Sequence, residues 1–265
     1  MNDILIGIIM GLIEGLAEFL PISSTGHLIL TAEIIGFSED PREPVFEVFI
    51  QFGAILAIAV LYWRRLLSMF NLKPLIKKEK KFNALHVVLG ILPAVAVGAI
   101  FYGTIKSMFH WSYVVAGLIA GAVLMIAAEK LKKKPKATTL DELTYKQALT
   151  IGVFQCLAVW PGFSRAGSTI SGGLLARADY KTASEFSFLI AVPLMAGAAS
   201  LDLIKNLNVL QAADIPLFAA GFVTAFVVAM AAVLTFLNIL KKAGLIPFAI
   251  YRIVLAGVFW VYIIQ

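Results

Sequence analysis

Residues 11–29 read GLIEGLAEFLPISSTGHLI, and residues 152–170 read GVFQCLAVWPGFSRAGSTI. The first stretch is an apolar run that carries two carboxylates, Glu14 and Glu18, four residues apart. That spacing puts both on one face of a helix. The helix has to break at Pro21, and Ser23, Ser24 and Thr25 are residues of the kind that open a new one. A helix start of this sort presents free N–H groups, which suit an anion. An acid in hydrocarbon costs about 2.5–3.5 kcal/mol, so Glu14 and Glu18 must face protein or water.

The second stretch aligns with the first without a gap. Gly11 falls on Gly152, Glu14 on Gln155, Phe19 on Trp160, Ser23 on Ser164, Gly26 on Gly167 and Ile29 on Ile170. The two differ where charge is concerned: Glu18 meets Val159, Ser24 meets Arg165, and His27 meets Ser168. One copy brings acids and a histidine, the other an arginine. This is the pattern of a duplicated scaffold that has become one asymmetric site.

The rest of the chain places these stretches in a membrane. Of 265 residues, 60% are hydrophobic, and the mean hydropathy is +0.91. Such a chain is an all-α polytopic membrane protein. The single cysteine, Cys156, rules out an intrachain disulfide, and three histidines without ligand spacing argue against structural zinc. The net charge of +6 comes from residues between apolar runs, so it reports topology and implies no nucleic acid partner.

Residues 27–36 would make a helix about 15 Å long, half of what a bilayer core of about 30 Å requires. Residues 4–36 are therefore read as a re-entrant hairpin, and so are residues 146–176, whose arms 148–160 and 168–176 are equally short. Six spans are expected at 46–63, 84–102, 112–129, 183–203, 216–238 and 247–264. The chain is one membrane domain, 1–265, made of two repeats, 1–130 and 146–265. Each holds a hairpin and three spans. Because three is odd, the second repeat runs opposite to the first, as an inverted-topology repeat with its site at the interface. Loops 64–83, 130–146 and 239–246 are basic and read as cytoplasmic; Lys73, Lys77, Lys78 and Lys80 belong to the first of these. Both termini then come out extracytoplasmic, and the hairpin tips meet near mid-membrane.

The tips carry what a pyrophosphate needs. Arg165 offers a planar fork for phosphate oxygens. Glu14 and Glu18 suit a hard divalent cation, Mg²⁺ or Ca²⁺. His27 is an acid–base candidate, and the nucleophile is Ser24, Thr25 or a water activated by the cation. Ser23, Thr25, Gly26, Ser164, Gly167, Ser168, Thr169 and Gln51 are expected around the substrate. Gln155 reads as a helix–helix hydrogen bond, and Gly117 with Gly121 as a small-residue packing face. Glu47 fits either site support or a polar interface.

The motifs EGLAEFLPISSTGH (14–27) and PGFSRAGSTISGG (161–173) resemble those of the undecaprenyl pyrophosphate phosphatases linked to bacitracin resistance. FEVFIQFGAILA (46–57), SEFSFLIAVP (184–193) and IPFAIYR (246–252) extend the resemblance over essentially the whole chain. It implies hydrolysis of a lipid pyrophosphate in the bacterial plasma membrane, with the site open to the extracytoplasmic side. It also implies essential roles for Glu14, Glu18, Ser24, His27 and Arg165. The family usually has serine where this chain has Ala166, so a hydroxyl there is not essential. A polyprenyl-phosphate flippase is the second reading, because inverted repeats with broken helices are also a transporter signature. The reading leaves room for a homodimer.

Overall fold

The computed structural model describes residues 2–69, 81–108, 110–206 and 211–264. The expected loop lysines Lys73, Lys77, Lys78 and Lys80 lie outside the described residues. Among those described, the protein is built of α-helices joined by turns, with one isolated bridge, Ala137 to Ala178. The helices are α1 (Asp3–Ala17), α2 (Ser24–Ile35), α3 (Glu43–Leu61), α4 (Trp63–Met69), α5 (Ala84–Ile100) and α6 (Tyr102–Ser107). They continue as α7 (Trp111–Leu131), α8 (Tyr145–Gln155), α9 (Arg165–Leu175), α10 (Tyr180–Asn206), α11 (Ile215–Ala243) and α12 (Ile246–Ile264).

Local chemistry sets the helix ends. The Asn2 side chain accepts from the Ile4 N–H to open α1, and Thr144 with Gln147 forms a reciprocal cap on α8. Proline lies in the first turn of α3 and of α11, where its missing N–H costs nothing. Gly36 ends α2 at φ 70°, a left-handed conformation. The first helix stops at Ala17, short of the expected break at Pro21. A proline also bars its predecessor from helical geometry. The chain leaves the helix early, and Phe19 turns fully into the core, edge-on to Phe188 at 5.5 Å.

All six intervals expected to span are helical. Among the described residues, four stretches are long and apolar enough to cross a membrane: Glu43–Leu61, Trp111–Leu131, Tyr180–Leu201 and Ala212–Ala243. Ala84–Ile100 and Ile246–Tyr262 are shorter apolar stretches. Large apolar side chains stand outward along them, among them Val88, Leu92, Val223, Val227, Val254 and Val258. A surface of this kind requires lipid for a solvent.

The arms of the two short helix pairs are held by close backbone approach. α1 lies against α11 through Gly7, Gly11 and Gly15, one face at i, i+4 and i+8. A methyl group on these residues would stand 2.6, 2.4 and 2.8 Å from the carbonyl oxygens of Leu217, Gly221 and Ala225. α8 lies against α5 in the same manner, where a methyl on Gly152 would stand 2.4 Å from the Leu89 carbonyl oxygen. The predicted Gly117–Gly121 face also packs closely, but against the 161–163 turn and the guanidinium of Arg252 rather than against a flat helix.

At one end, Arg42 gathers Asp3, Asp40 and Asp214 at 3.0, 2.7 and 3.0 Å. These contacts tie the start of α1, the 37–42 loop and the start of α11 together. The Arg42 guanidinium holds the Asp40 carboxyl below its usual range.

Gly11→Leu is expected to destabilise the protein by about 1–3 kcal/mol, because the added side chain has no room between two backbones. Gly98→Leu is the control, since nothing lies within 4 Å of a methyl there. Thermal melts in detergent should show a clear drop for the first and little change for the second. Equal melting temperatures would show that the α1–α11 approach is not limiting.

Candidate active site

The two turns have the same local geometry. Ser23 and Ser164, aligned in sequence, cap α2 and α9 at φ 73° and 74°. Each hydroxyl accepts from the N–H three residues on, Gly26 at 3.3 Å and Gly167 at 3.1 Å. Positive φ is costly for serine, and only one other non-glycine among the described residues, Arg177, adopts it. The strain puts the first N–H groups of both helices at the tips, where they have no intrahelical acceptor.

The tips touch through side chains. Arg165 Nη2 pairs with Glu18 Oε1 at 3.3 Å, and the two side chains are only 11% and 5% exposed. The other oxygen of Glu18 accepts from the Ser24 hydroxyl at 2.5 Å. One carboxylate therefore joins the arginine of one turn to a serine of the other. The Arg165 guanidinium also sits 5.6 Å from the Phe19 ring centre. Its Nε is buried and has no acceptor among the described residues.

A cavity of about 300 Å³ opens beside this group. Glu18, Ser23, Ser24, Thr25, Gln51, Ser164 and Arg165 line its polar side. Ala94, Ala158, Val159, Leu194 and Met195 line its apolar side, with Trp160. The remaining predicted residues stand behind these walls. Glu14, Ser168 and Thr169 are fully buried, and the hydroxyls of the last two turn back to the Arg165 carbonyl oxygen at 3.0 and 2.7 Å. Gly26 and Gly167 serve as the donors to the capping serines. His27 bridges the Ser23 carbonyl oxygen and the Tyr251 hydroxyl, both at 2.7 Å. Nδ1 must donate to the carbonyl, so Nε2 accepts from the tyrosine. The expected acid–base role of His27 thus has no ring nitrogen facing the cavity; the ring pins the strained Ser23 turn to α12.

Among the described residues, no group of three His, Cys, Asp or Glu side chains is arranged to hold a metal. There is instead one fully buried carboxylate, Glu14, whose two oxygens both lack a partner. Glu18 and Glu47 lie close enough to act on it electrostatically. A carboxylate in that position fits a cation that would draw its other ligands from a phosphate-bearing guest. Glu18, by contrast, already serves Ser24 and Arg165. Glu47 is a second, partly buried carboxylate near Glu14, while Glu185, in α10, lies 3.9 Å from Lys181.

The chain matches the family described as bacitracin resistance protein BacA over residues 7–258. It is 62% identical over 265 residues, the full length of both chains, to "Undecaprenyl-diphosphatase 1" of Bacillus cereus (strain ZK / E33L). The same identity and coverage hold for the proteins of that name from Bacillus thuringiensis (strain Al Hakam) and Bacillus anthracis. The chain belongs to the BacA family.

The resemblance seen in the motifs is thereby established for the whole chain. Ala166 is buried in the main apolar cluster and does not line the cavity, consistent with a missing hydroxyl there. Ser187 and Arg252 escaped the reading of single motifs, and Gln155 was read only in part. Gln155 does make the expected helix–helix bond, to the Gly90 carbonyl oxygen at 2.9 Å, but it also lines the cavity. Ser187 holds Arg165. Arg252, wholly buried, donates to the carbonyl oxygens of Leu118, Gly117 and Gly162. Its place in the IPFAIYR segment, an arginine in an apolar span, was the available signal.

The cavity should hold a free oxyanion. Inorganic pyrophosphate titrated into the purified protein is expected to bind, and Arg165→Ala to weaken it about tenfold or more through loss of charge-assisted hydrogen bonds. Calorimetry decides; unchanged affinity in a folded variant would remove Arg165 from the site.

Proposed function

We propose that the protein hydrolyses undecaprenyl pyrophosphate to undecaprenyl phosphate and inorganic phosphate, recycling the lipid carrier for wall synthesis. The relatives' names and family membership support the activity. The observation that carries the mechanism is the Arg165–Glu18–Ser24 contact across the two turns.

Arg165 and the N–H groups at the starts of α2 and α9 receive the pyrophosphate. The apolar side of the cavity takes the start of the prenyl chain. Ser24 attacks the terminal phosphorus, and its proton passes to Glu18. The bond to the bridging oxygen breaks, and undecaprenyl phosphate leaves. Water then attacks the phosphoserine. Glu18 returns the first proton to the departing Ser24 oxygen and takes one proton from the water. It releases that proton to solvent as phosphate leaves, which restores the carboxylate. Glu14, whose oxygens are unpartnered, is the residue that would hold the expected Mg²⁺ or Ca²⁺, which when bound supplies charge neutralisation for the anhydride; Glu18 is engaged by Ser24 and Arg165.

The proposal includes the inverted repeat with two re-entrant hairpins and six spans. Its support is the reciprocal packing: α1 of the first half lies on α11, and α8 of the second half lies on α5 by the same kind of glycine contact. It also includes a site facing outward and both termini outside, in a bacterial plasma membrane.

Phosphate release from undecaprenyl pyrophosphate tests the activity. Wild type should turn over, a chelator should suppress it, and Glu18→Gln should cost about a hundredfold or more through loss of the base. Ser24→Ala should behave alike. A normal rate in both folded variants would refute the mechanism.

Topology is tested with single cysteines at Ser38 and Lys133 in a Cys156→Ser background. An impermeant thiol reagent on intact cells should label position 38 and spare 133. The reverse pattern would invert the proposed orientation.

A further inference from the structure

We infer that Ser187, braced by Thr169, is a positioning residue for Arg165. The inference rests on the reading of Arg165 as the pyrophosphate-binding arginine. Ser187 lies in the first third of α10, is fully buried, and does not line the cavity. Both its backbone carbonyl oxygen and its hydroxyl oxygen accept from Arg165 Nη1, at 3.0 and 3.1 Å. Its hydroxyl is 2.7 Å from that of Thr169, and Thr169 is 2.7 Å from the Arg165 carbonyl oxygen.

Counting protons settles the directions. A carbonyl can only accept, so Thr169 spends its one proton on the Arg165 carbonyl. The Ser187 proton then goes to Thr169, and the Ser187 lone pairs are left for the guanidinium. The bonds form a closed circuit that begins at the guanidinium of Arg165 and ends at its own backbone. Such a chain polarises each member in turn. It locks a side chain with many rotamers to its helix from one side, while Glu18 holds Nη2 from the other. Thr169, expected to contact substrate, belongs to this brace. The SEFSFLIAVP segment, recognisable only as a family signature, acquires a physical task.

The test is a double-mutant cycle on the full chain in detergent. Its readouts are kcat/KM on undecaprenyl pyrophosphate and the Kd for inorganic pyrophosphate. Ser187→Ala should weaken both about tenfold, the scale of one lost charge-assisted hydrogen bond, with a melting temperature close to wild type. In an Arg165→Lys background, which lacks the fork, Ser187→Ala should cost less than about twofold more. Thr169→Val keeps the shape and opens the circuit while leaving the Ser187–Arg165 bonds in place. It should weaken both readouts in the same direction by less than Ser187→Ala, and it reports on the brace even if that variant folds poorly. Near-normal values for both variants would overturn the inference. So would a full tenfold loss added on top of Arg165→Lys, since Ser187 would then act independently of Arg165. Absence of hydrolysis by wild type would refute the proposed activity alone, because the pyrophosphate-binding cycle still decides the role of Ser187.

Discussion

Two charges in a protein interior cannot be left apart, and the ion pair between Arg165 and Glu18 is the constraint on which the rest depends. Both side chains are almost wholly buried. Removing either partner would strand the other in a medium where desolvation costs several kcal/mol. The pair therefore obliges two turns, about 150 residues apart in sequence, to meet. The glycine faces of α1 and α8 allow the supporting arms to approach their neighbours closely enough for that. With the turns in register, the Ser24 hydroxyl falls 2.5 Å from the same carboxylate.

Two further charges frame the site and have different partners. Glu14 has none among the described residues and so requires a cation or a proton. Arg252 spends its donors on three backbone carbonyls and the Met125 sulfur, 3.6 Å away. These contacts fasten α12 to α7 and to the turn at Gly162. Gly121 and Gly167 leave it room: a methyl group on either would stand 2.2 or 2.9 Å from its guanidinium. The strained serine turns are held from behind in this way, by Arg252 on one side and by the His27–Tyr251 pair on the other. Rigid support of this kind is what keeps reacting groups within productive geometry.

Much of this was legible in the chain itself. The four-residue spacing of Glu14 and Glu18, Pro21, and the run Ser23-Ser24-Thr25 specify a broken apolar helix with acids beside a helix start. The gapless alignment of 11–29 with 152–170 pairs Ser23 with Ser164, and the two residues share a backbone conformation to within a degree in φ. Helix caps, apolar runs and their lengths are local properties, governed by neighbours within one or two turns, and so a sequence can display them.

What the sequence did not display is which side of each short helix faces the cavity and which faces the core. Ser168, Thr169 and His27 sit inside the two motifs, yet their polar atoms point back to Arg165, Ser187, Ser23 and Tyr251. Ser187 and Arg252 come from distant segments and reach the site only through the packing of α10 and α12. A side chain's partner across dozens of residues depends on helix rotation and crossing geometry, which are set by close contacts such as Gly11 on Gly221. The residue types of this protein were thus determined locally, while their division into those that face the cavity and those that brace the turns was decided by tertiary packing.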